Sequence, residues 1–281
     1  YTSAIDGTIK LLYRLHDGNL IEGVLMNYKY GNTLCVSTQV GCRMGCKFCA
    51  STLGGLVRNL SAGEILGQVV AVNRYLGGDL ENRKITNIVL MGSGEPLDNF
   101  DNVIKFLYLV NDVSGLNISM RNISLSTCGI APKIDELAKL NLQINLTISL
   151  HSADQVKREE IMPIARAYSL ETLMISVRNY FEATKRRVIF EYTLIDDAND
   201  SYSDALKLAN LTRNISAHIN LIRLNPVKET KMRGTSDIKA KKFLEYLTNL
   251  NVSATLRRQM GVDIEGACGQ LRQRYIEEDK E

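Results

Sequence analysis

The sequence predicts an α/β protein built as a partial (βα)6 barrel with a short β extension before it. Short apolar runs alternate with amphipathic stretches along most of the 281 residues. Several apolar runs are continuous, which is typical of strands covered on both faces. The alternation of strand and helix favours a mostly parallel sheet with crossover helices. Since six such units are too few for an eightfold barrel, an open or partial barrel is expected.

The elements are expected in a simple order. Two runs near the start, Ile9–Leu15 and Leu20–Tyr28, flank turn residues and predict a β-hairpin. Barrel strands are then expected at Leu34–Thr38, Ile85–Met91, Asn122–Thr127, Gln143–Leu150, Arg187–Ile195, His218–Leu224 and Val252–Arg257. The helices between them are expected at Ala62–Tyr75, Asn102–Asn111, Lys133–Lys139, Ser169–Ala183, Tyr202–Thr212 and Asp237–Thr248. Ser61 and Glu64 predict a capping box at the first helix. We therefore expect a hairpin extension over residues 1–32 and a barrel core over residues 33–281.

Composition excludes several classes of protein. Hydrophobic residues are 45% and charged residues 23%, which argues against a disordered or disulfide-dense chain. No apolar run approaches the ~20 residues of a membrane span, and we expect no signal peptide and no membrane association. The net charge of +3 permits nucleic-acid binding without requiring it. Six cysteines in such a chain favour the reducing cytoplasm, with metal or catalytic roles. The first residue is not Met, so we expect a piece of a longer protein.

Three cysteines form the strongest motif in the chain. Cys42, Cys46 and Cys49 have the spacing C-x3-C-x2-C directly after the first barrel strand. Three thiolates on one loop can bind three irons of a cubane cluster and leave the fourth iron open to an external ligand. The alternative is a tetrahedral zinc site completed by a residue elsewhere, which a lone C-x2-C pair would favour. The spacing of three and then two residues favours the cluster.

This cysteine loop resembles that of the radical S-adenosylmethionine (SAM) superfamily. The turn Met91–Pro96, after the second barrel strand, is similar to the superfamily's site for the amino group of SAM. Longer stretches resemble the RlmN/Cfr family of radical SAM RNA methyltransferases over essentially the whole chain, among them Cys35–Cys42, Ile148–His151 and Asp263–Leu271. The sequence Ala50-Ser51-Thr52 after the last cluster cysteine favours the RlmN branch. Ser93 departs from the common Gly-Met-Gly-Glu-Pro form.

The resemblance implies a set of cofactors and binding residues. A [4Fe-4S] cluster would be held by Cys42, Cys46 and Cys49, and two SAM molecules would be used per turnover. The SAM contacts lie at predicted strand ends, where ligands bind in open α/β sheets. They are Gly94, Glu95, Ser126, Ser149, Leu150, His151 and Asn225.

The resemblance also assigns catalytic roles. The family methylates a ring carbon of adenine, and C2 of adenine is electrophilic, so it cannot attack the methyl group of SAM directly. In the family a cysteine first takes the methyl group from SAM. A 5′-deoxyadenosyl radical then removes a hydrogen atom from the S-methyl group. The resulting sulfur-bound carbon adds to the adenine ring carbon, which crosslinks protein and RNA. By motif position Cys268 carries the methyl group, Cys35 releases the product by forming a disulfide, and Glu22 accepts the ring proton. Without the resemblance, Cys35 reads as a buried strand cysteine and Glu22 as a solvated carboxylate.

The implied substrates are an adenosine of 23S rRNA and an adenosine next to the anticodon of tRNA, both methylated at C2. The implied enzyme is a monomer that uses an electron donor such as flavodoxin or ferredoxin. Arg223 stands where many RlmN-type members carry Pro, so Cfr-type methylation at C8 is one alternative. Another is a non-catalytic metal-cysteine RNA-binding module. The family's N-terminal helical accessory domain has no match in residues 1–281, and Arg257 and Arg258 are the best RNA-contact candidates.

Overall fold

The computed structural model describes residues 1–225 and 229–264, and these divide into two compact units. The first unit comprises Tyr1–Arg43, Cys49–Ser126 and, among the described residues, 260–264. The second comprises Met44–Phe48 and the described part of Thr127–Gln259. No helix in the described part of the chain is both long and apolar enough to cross a bilayer.

The sheet of the first unit begins with an antiparallel hairpin and becomes parallel. The strands of the first unit are β1 (Ile9–Arg14), β2 (Leu20–Tyr28), β3 (Gly31–Cys35), β4 (Gln39–Gly41), β5 (Leu56–Asn59), β6 (Ile85–Leu90) and β7 (Ile123–Thr127). β2 pairs antiparallel with both β1 and β3, whereas β3, β6 and β7 pair in parallel. β4 and β5 form a separate two-stranded antiparallel sheet. The hairpin therefore extends the parallel sheet at the β3 edge.

The helices of the first unit are α1 (Ala62–Tyr75) and α2 (Phe100–Asn111). α1 begins with the capping box that its sequence predicts. The Ser61 hydroxyl accepts a hydrogen bond from the Glu64 N–H at 3.2 Å, and the Glu64 carboxylate accepts one from the Ser61 N–H at 2.9 Å. Two of the unpaired N–H groups at the helix start are thus satisfied.

The second unit is a parallel sheet covered by helices. Its strands pair in the order β8 (Asn145–Ser149), β9 (Val188–Leu194), β10 (Ala217–Arg223) and β11 (Ala254–Leu256). Its helices are α3 (Ala131–Lys139), α4 (Gln155–Ile161), α5 (Ile164–Ala167), α6 (Leu170–Thr184), α7 (Tyr202–Thr212) and α8 (Asp237–Asn249). The outer face of β9 is apolar, and Tyr192 stacks on Phe243 of α8 with 5.4 Å between ring centroids. The opposite face of β9 carries Glu191 and Thr193, so this face of the sheet is polar.

The predicted elements are all present within the described residues; β2, α1 and α7 match to the residue and the others are shifted by one to a few residues. β3, β6 and β7 of the first unit and β8, β9 and β10 of the second each precede a helix, which gives the six predicted βα units. Four short elements, β4, β5, α4 and α5, were not predicted, because elements this short leave no periodic signal. The predicted boundary at residue 32 falls inside β3 and stays a prediction.

Replacing the α1 capping residue tests this account of the first unit. Ser61→Ala removes the side-chain acceptor at the helix start, and it is expected to lower the free energy of unfolding by about 1 kcal/mol. Urea denaturation followed by circular dichroism measures this change. Ser114→Ala, in the exposed turn after α2, is the control and should leave the free energy of unfolding within about 0.5 kcal/mol of the parent. Equal losses in both variants would contradict a capping role for Ser61.

Candidate active site

The cysteine loop opens directly from the small β4–β5 sheet. Gly41 has a φ of 74°, and a Cβ there would lie 2.0 Å from the carbonyl oxygen of Gly55. The next N–H, that of Cys42, donates to the same oxygen at 2.9 Å. Only glycine permits this close approach of two backbones. Cys42 is buried and Cys49 half-buried in the first unit, and Cys46 is buried in the second.

The middle of the loop is fixed within the second unit. The Lys47 N–H donates to the Ile161 carbonyl at the end of α4 at 2.9 Å. The Phe48 ring meets the His151 ring edge-on, with 4.8 Å between centroids. Lys47 and Phe48 are therefore held by α4 and by the loop that follows β8.

The donor set of the loop fits an iron–sulfur cluster. Among residues 1–225 and 229–264, no three His, Cys, Asp or Glu side chains converge on the position of a single metal ion. A cubane spreads its protein ligands over separate irons, so its three thiolates do not have to meet at one point. Soft thiolate ligands are the ligands that such clusters use. Cys42, Cys46 and Cys49 are therefore the residues that would hold the cluster.

The glycine-rich turn after β6 is built around Gln39. Gly94 has a φ of 105°, and a Cβ there would lie 2.5 Å from the Cβ of Gln39. The Gln39 Oε1 accepts a hydrogen bond from the Glu95 N–H at 2.8 Å, and its Nε2 donates to Asp98 at 2.9 Å. The Glu95 carboxylate is buried, and its Oε1 accepts from the Leu97 N–H at 3.0 Å. Gly94 and Glu95 thus present a fixed backbone and a fixed carboxylate.

The loop after β8 holds a neutral histidine. His151 is buried, with a left-handed φ of 57°. Burial, and to a lesser degree the charge of Arg158, lowers its pKa to about 3. Its Nδ1 accepts the Thr193 N–H at 3.1 Å, so the neutral ring carries its proton on Nε2. Asn199 fixes this loop by donating to the carbonyl oxygens of His151 and Thr193, both at 2.7 Å.

The remaining SAM-contact candidates also lie near strand ends. Ser126 is on β7 and Ser149 is the last residue of β8, and both are half-buried, whereas Leu150 is buried. Asn225 follows β10, and its Oδ1 accepts from the Gln259 Nε2 at 3.2 Å. Arg223 forms an ion pair with Asp237 at 2.5 Å and also donates to Gln259. The Arg223 guanidinium is thus engaged within the second unit.

Glu22 and Cys35 share one face of the first unit's sheet. β2 and β3 pair with Val24 opposite Cys35, and Glu22 lies two residues from Val24 on the same face. Diagonal neighbours of this kind are about 7–8 Å apart. Glu22 and Cys35 are 4% and 7% exposed, so the expectation of a solvated carboxylate at Glu22 is wrong. The Ser37 hydroxyl donates to the Glu22 carbonyl at 2.6 Å and fixes the strand there.

Cys268 lies outside the described residues, but the chain before it is anchored. Asp263 accepts hydrogen bonds from the Ser3 hydroxyl at 2.6 Å and from the Ala4 N–H at 2.8 Å. The Gly261 N–H donates to Asp6 at 2.8 Å. Partial burial raises the pKa of Asp6, but the hydrogen bonds from Gly261 and Thr8 bring it down to about 2. The segment that leads to Cys268 therefore starts from a fixed point.

Several basic residues, among them the RNA-contact candidate Arg257, have partners inside the protein. Lys239 pairs with Asp196 and Asp197, each at 2.7 Å. Arg257 lies 3.5 Å from Glu191. Arg186 donates to the Ile144 carbonyl at 2.9 Å. These cations are partly neutralised by the fold, and a role in RNA contact stays a prediction for Arg257 and Arg258.

Comparisons with known proteins identify the family to which this chain is similar. The Radical SAM superfamily matches residues 36–209. A probable dual-specificity RNA methyltransferase RlmN of Clostridium botulinum (strain Alaska E43 / Type E3) is 52% identical over 98% of this chain and 78% of its own length. The protein of the same description from Clostridium perfringens (strain 13 / Type A) is 53% identical, with the same two coverages. The crystal structure of a radical SAM methyltransferase from Sphaerobacter thermophilus has a TM-score of 0.91 and 42% identity over 96% of this chain and 79% of that chain.

The parallel sheets, the cysteine loop and these matches define a radical SAM enzyme, and the predicted partial (βα)6 fold class is confirmed. A [4Fe-4S] cluster and SAM are the cofactors that this superfamily implies. The extent and level of identity then narrow the assignment. The chain belongs to the RlmN family of radical SAM RNA methyltransferases, as the motifs predicted.

Sequence reasoning missed three residues that organise the candidate site. Gln39 braces the glycine-rich turn, Asn199 braces the His151 loop, and Arg158 lies fully buried behind that loop. Each bonds to groups distant in sequence, so no local spacing marks it. The closest signal is for Gln39, which lies inside the stretch Cys35–Cys42 that carries the family resemblance.

Adding a side chain at Gly94 tests the close contact with Gln39. Gly94→Ala combines a positive φ with a Cβ overlap, and it is expected to cost more than about 1 kcal/mol of unfolding free energy. Gly67→Ala, at an exposed position within α1, is the control and should stabilise by up to about 1 kcal/mol. Urea denaturation of the two apoproteins measures both changes. An unchanged midpoint for Gly94→Ala would show that the turn is not constrained.

The neutral state of His151 predicts a pH dependence of stability. Its folded pKa of about 3 lies below the ordinary value of 6.5, so the unfolded chain binds more protons in between. Stability should therefore fall as pH falls from about 6.5 towards 3, with a slope of up to about 1.4 kcal/mol per pH unit. His151→Asn keeps an acceptor and tolerates the left-handed backbone, and it should flatten this slope.

Urea denaturation of the apoprotein between pH 4 and 7 measures the slope for the parent and the variant. The control is His16→Asn, because the His16 side chain is 81% exposed. It should keep the parent's pH dependence. The same slope in His151→Asn and the parent would rule out a neutral buried histidine.

Proposed function

We propose that this chain methylates C2 of an adenosine in 23S rRNA and of the adenosine next to the anticodon in some tRNAs, by a methyl-cysteine relay. The observation that carries the proposal is the β2–β3 register, which puts Glu22 and Cys35 on one buried face. A carboxylate and a thiol on the same buried face are the base and the nucleophile that the last steps of such a relay require.

The relay begins at Cys268. Its thiolate attacks the methyl carbon of one SAM, so that a carbon–sulfur bond forms in the protein and S-adenosylhomocysteine leaves. When bound, the cluster and a second SAM supply the one-electron chemistry that removes a hydrogen atom from this S-methyl group. The sulfur-bound carbon then joins C2 of the adenine, and protein and RNA are linked by a thioether.

Glu22 and Cys35 release the product. One electron passes from the adduct to an oxidised carrier of the flavodoxin or ferredoxin class, and Glu22 takes the proton from C2. The Cys35 thiolate then attacks the sulfur of Cys268. The bond between that sulfur and the new carbon breaks, the electron pair stays on the carbon, and a proton returned from Glu22 completes the methyl group on C2. The two cysteines end as a disulfide, which two electrons from a donor such as flavodoxin or ferredoxin reduce. Each turnover therefore uses two SAM molecules.

The SAM site is proposed at the residues that the resemblance assigns. Glu95 is a fixed, buried acceptor for the ammonium group of SAM, and Gly94 lets the ligand approach the backbone. His151 offers a neutral Nε2–H donor. The other contacts are proposed at Ser126, Ser149, Leu150 and Asn225. The protein is proposed to act as a cytoplasmic monomer, with the hairpin of residues 1–32 as an extension of a core over residues 33–281.

The alternatives have less support. Cfr-type methylation at C8 was raised by Arg223, but that side chain is engaged by Asp237 and Gln259. The curated relatives above are named as RlmN proteins. A non-catalytic RNA-binding module has no use for a buried carboxylate and thiol on one face. The C2 relay is therefore the better proposal.

Mass spectrometry of the Cys268 peptide tests the first half of the relay. The protein is reconstituted anaerobically with iron and sulfide and then incubated with SAM. One added methyl group is expected on Cys268 of the parent, whereas Cys268→Ala should carry none. Cys128→Ala is the matched control and should still be methylated on Cys268. An unmodified Cys268 in protein with an intact cluster would refute the relay.

Removing Cys35 tests the second half. Cys35→Ala should still carry methyl on Cys268 and should still join RNA, but it cannot release the product. With a short 23S rRNA fragment or tRNA and a chemical reductant, we expect a covalent protein–RNA species that accumulates on denaturing gels. Nucleoside analysis of the parent reaction should give 2-methyladenosine. Release of free methylated RNA by Cys35→Ala, or an 8-methyladenosine product, would contradict the proposal.

A further inference from the structure

Arg158 is a buried cation that forms no ion pair with a carboxylate in residues 1–225 and 229–264. It lies on α4, is 0% exposed, and is the largest fully buried side chain among the described residues. Its Nε donates to the Leu150 carbonyl at 3.1 Å and its Nη2 to the Cys128 carbonyl at 2.7 Å. Its Nη1 has no hydrogen-bond partner in the part of the chain that the structure describes. One arm of the guanidinium is therefore left to bond something else.

Two cysteine side chains act electrostatically on the Arg158 guanidinium. Burial lowers the pKa of its guanidinium, and charge on Cys128 and Cys46 raises it. The backbone holds Cys46 close to α4, because the neighbouring Lys47 N–H donates to the Ile161 carbonyl at 2.9 Å. Ile161 lies about one helical turn after Arg158. A buried cation with no ion pair among the described residues is costly, so a negative charge held at the cysteine loop would stabilise it.

We propose that Arg158 is the buried counter-charge of the iron–sulfur cluster and sets its reduction potential. The guanidinium stays positive at any working pH, and charge on Cys46 of the cysteine loop acts on it. Its Nη1 is the donor available to sulfur. Charge and hydrogen bonds to sulfur are two of the levers that set cluster potentials. A fixed positive charge favours the reduced cluster, which carries one more electron. This inference rests on the cluster at Cys42, Cys46 and Cys49, and not on the identity of the RNA.

Redox titration of charge variants tests the proposal. Arg158→Gln removes the charge and Arg158→Lys keeps it. The proteins are reconstituted anaerobically, their iron and sulfide are counted, and the cluster is titrated by electron paramagnetic resonance. SAM is left out, so changes in SAM binding cannot move the potential. For Arg158→Gln we expect the reduced-to-oxidised ratio at the parent's midpoint to fall at least tenfold, which is about 59 mV for one electron.

Two comparisons separate charge from structure. Arg158→Lys should shift the potential less than Arg158→Gln does. Arg83→Gln is the matched control, because Arg83 also donates to two backbone carbonyls, those of Leu116 at 2.8 Å and Asn117 at 2.6 Å. It should leave the potential unchanged. A fully loaded Arg158→Gln with the parent's potential would overturn this proposal alone. A parent chain that binds no iron would overturn the cluster assignment and this inference with it.

Thermal unfolding gives a second, independent readout. In the apoprotein Arg158 has no ion pair within the described part of the chain, so Arg158→Met should melt within a few degrees of the parent or above it. Cluster loading should then raise the melting temperature of the parent more than that of Arg158→Met. Equal increments would contradict the counter-charge role. So would an Arg158→Met apoprotein that fails to fold, because it would show that the fold needs Arg158 without the cluster.

Discussion

The first unit depends on one buried residue, Ser37, just after the β3 strand. Its hydroxyl donates to the Glu22 carbonyl at 2.6 Å and accepts the Ser93 N–H at 2.8 Å. Its backbone exchanges two hydrogen bonds with the Gln68 amide of α1, each at 2.9 Å. Strand β2, the glycine-rich turn after β6 and helix α1 are therefore all hydrogen-bonded to one fully buried serine. A buried network in which every member is bonded permits a single arrangement, and this precision is what reacting groups require.

The second unit uses desolvation where the first uses hydrogen bonds. Burial keeps His151 neutral, and the equally buried Arg158 forms no ion pair with a carboxylate among the residues that the structure describes. Arg158 donates to the carbonyl oxygens of Leu150 and Cys128, which lie just after β8 and β7 in the sequence. The same low dielectric that makes an unpaired cation costly also makes it act strongly on a nearby charge. The low dielectric thus accounts both for the free-energy cost of burying Arg158 and for its electrostatic effect on a neighbouring charge.

The sequence allowed the fold class and the chemistry to be predicted, but not how the site is held. Helix α1 and strand β2 were predicted to the residue because capping and apolar periodicity are local signals. The cysteine loop was found from spacing alone. The burial of Arg158 and Glu22 could not be predicted from the local sequence pattern, because an arginine in a short polar helix and a glutamate in a strand are both usually exposed to solvent. Their burial follows from pairing with distant segments, such as the β2–β3 register, which no short window contains.

The polar face of the second unit's sheet explains why an incomplete barrel suits this chemistry. Register places Ser149 beside Glu191, and Glu191 beside Asn220, on the face opposite the helices. Asn220 donates to Glu191 at 3.2 Å, and Arg257 lies 3.5 Å from it, yet the Glu191 Oε2 has no hydrogen-bond partner among the described residues. Closed eight-stranded barrels fill this side with bulky apolar residues. The polar face formed by Ser149, Glu191 and Asn220 instead leaves hydrogen-bonding groups that a polar ligand can satisfy. This face of the sheet is therefore suited to binding a ligand rather than to close packing.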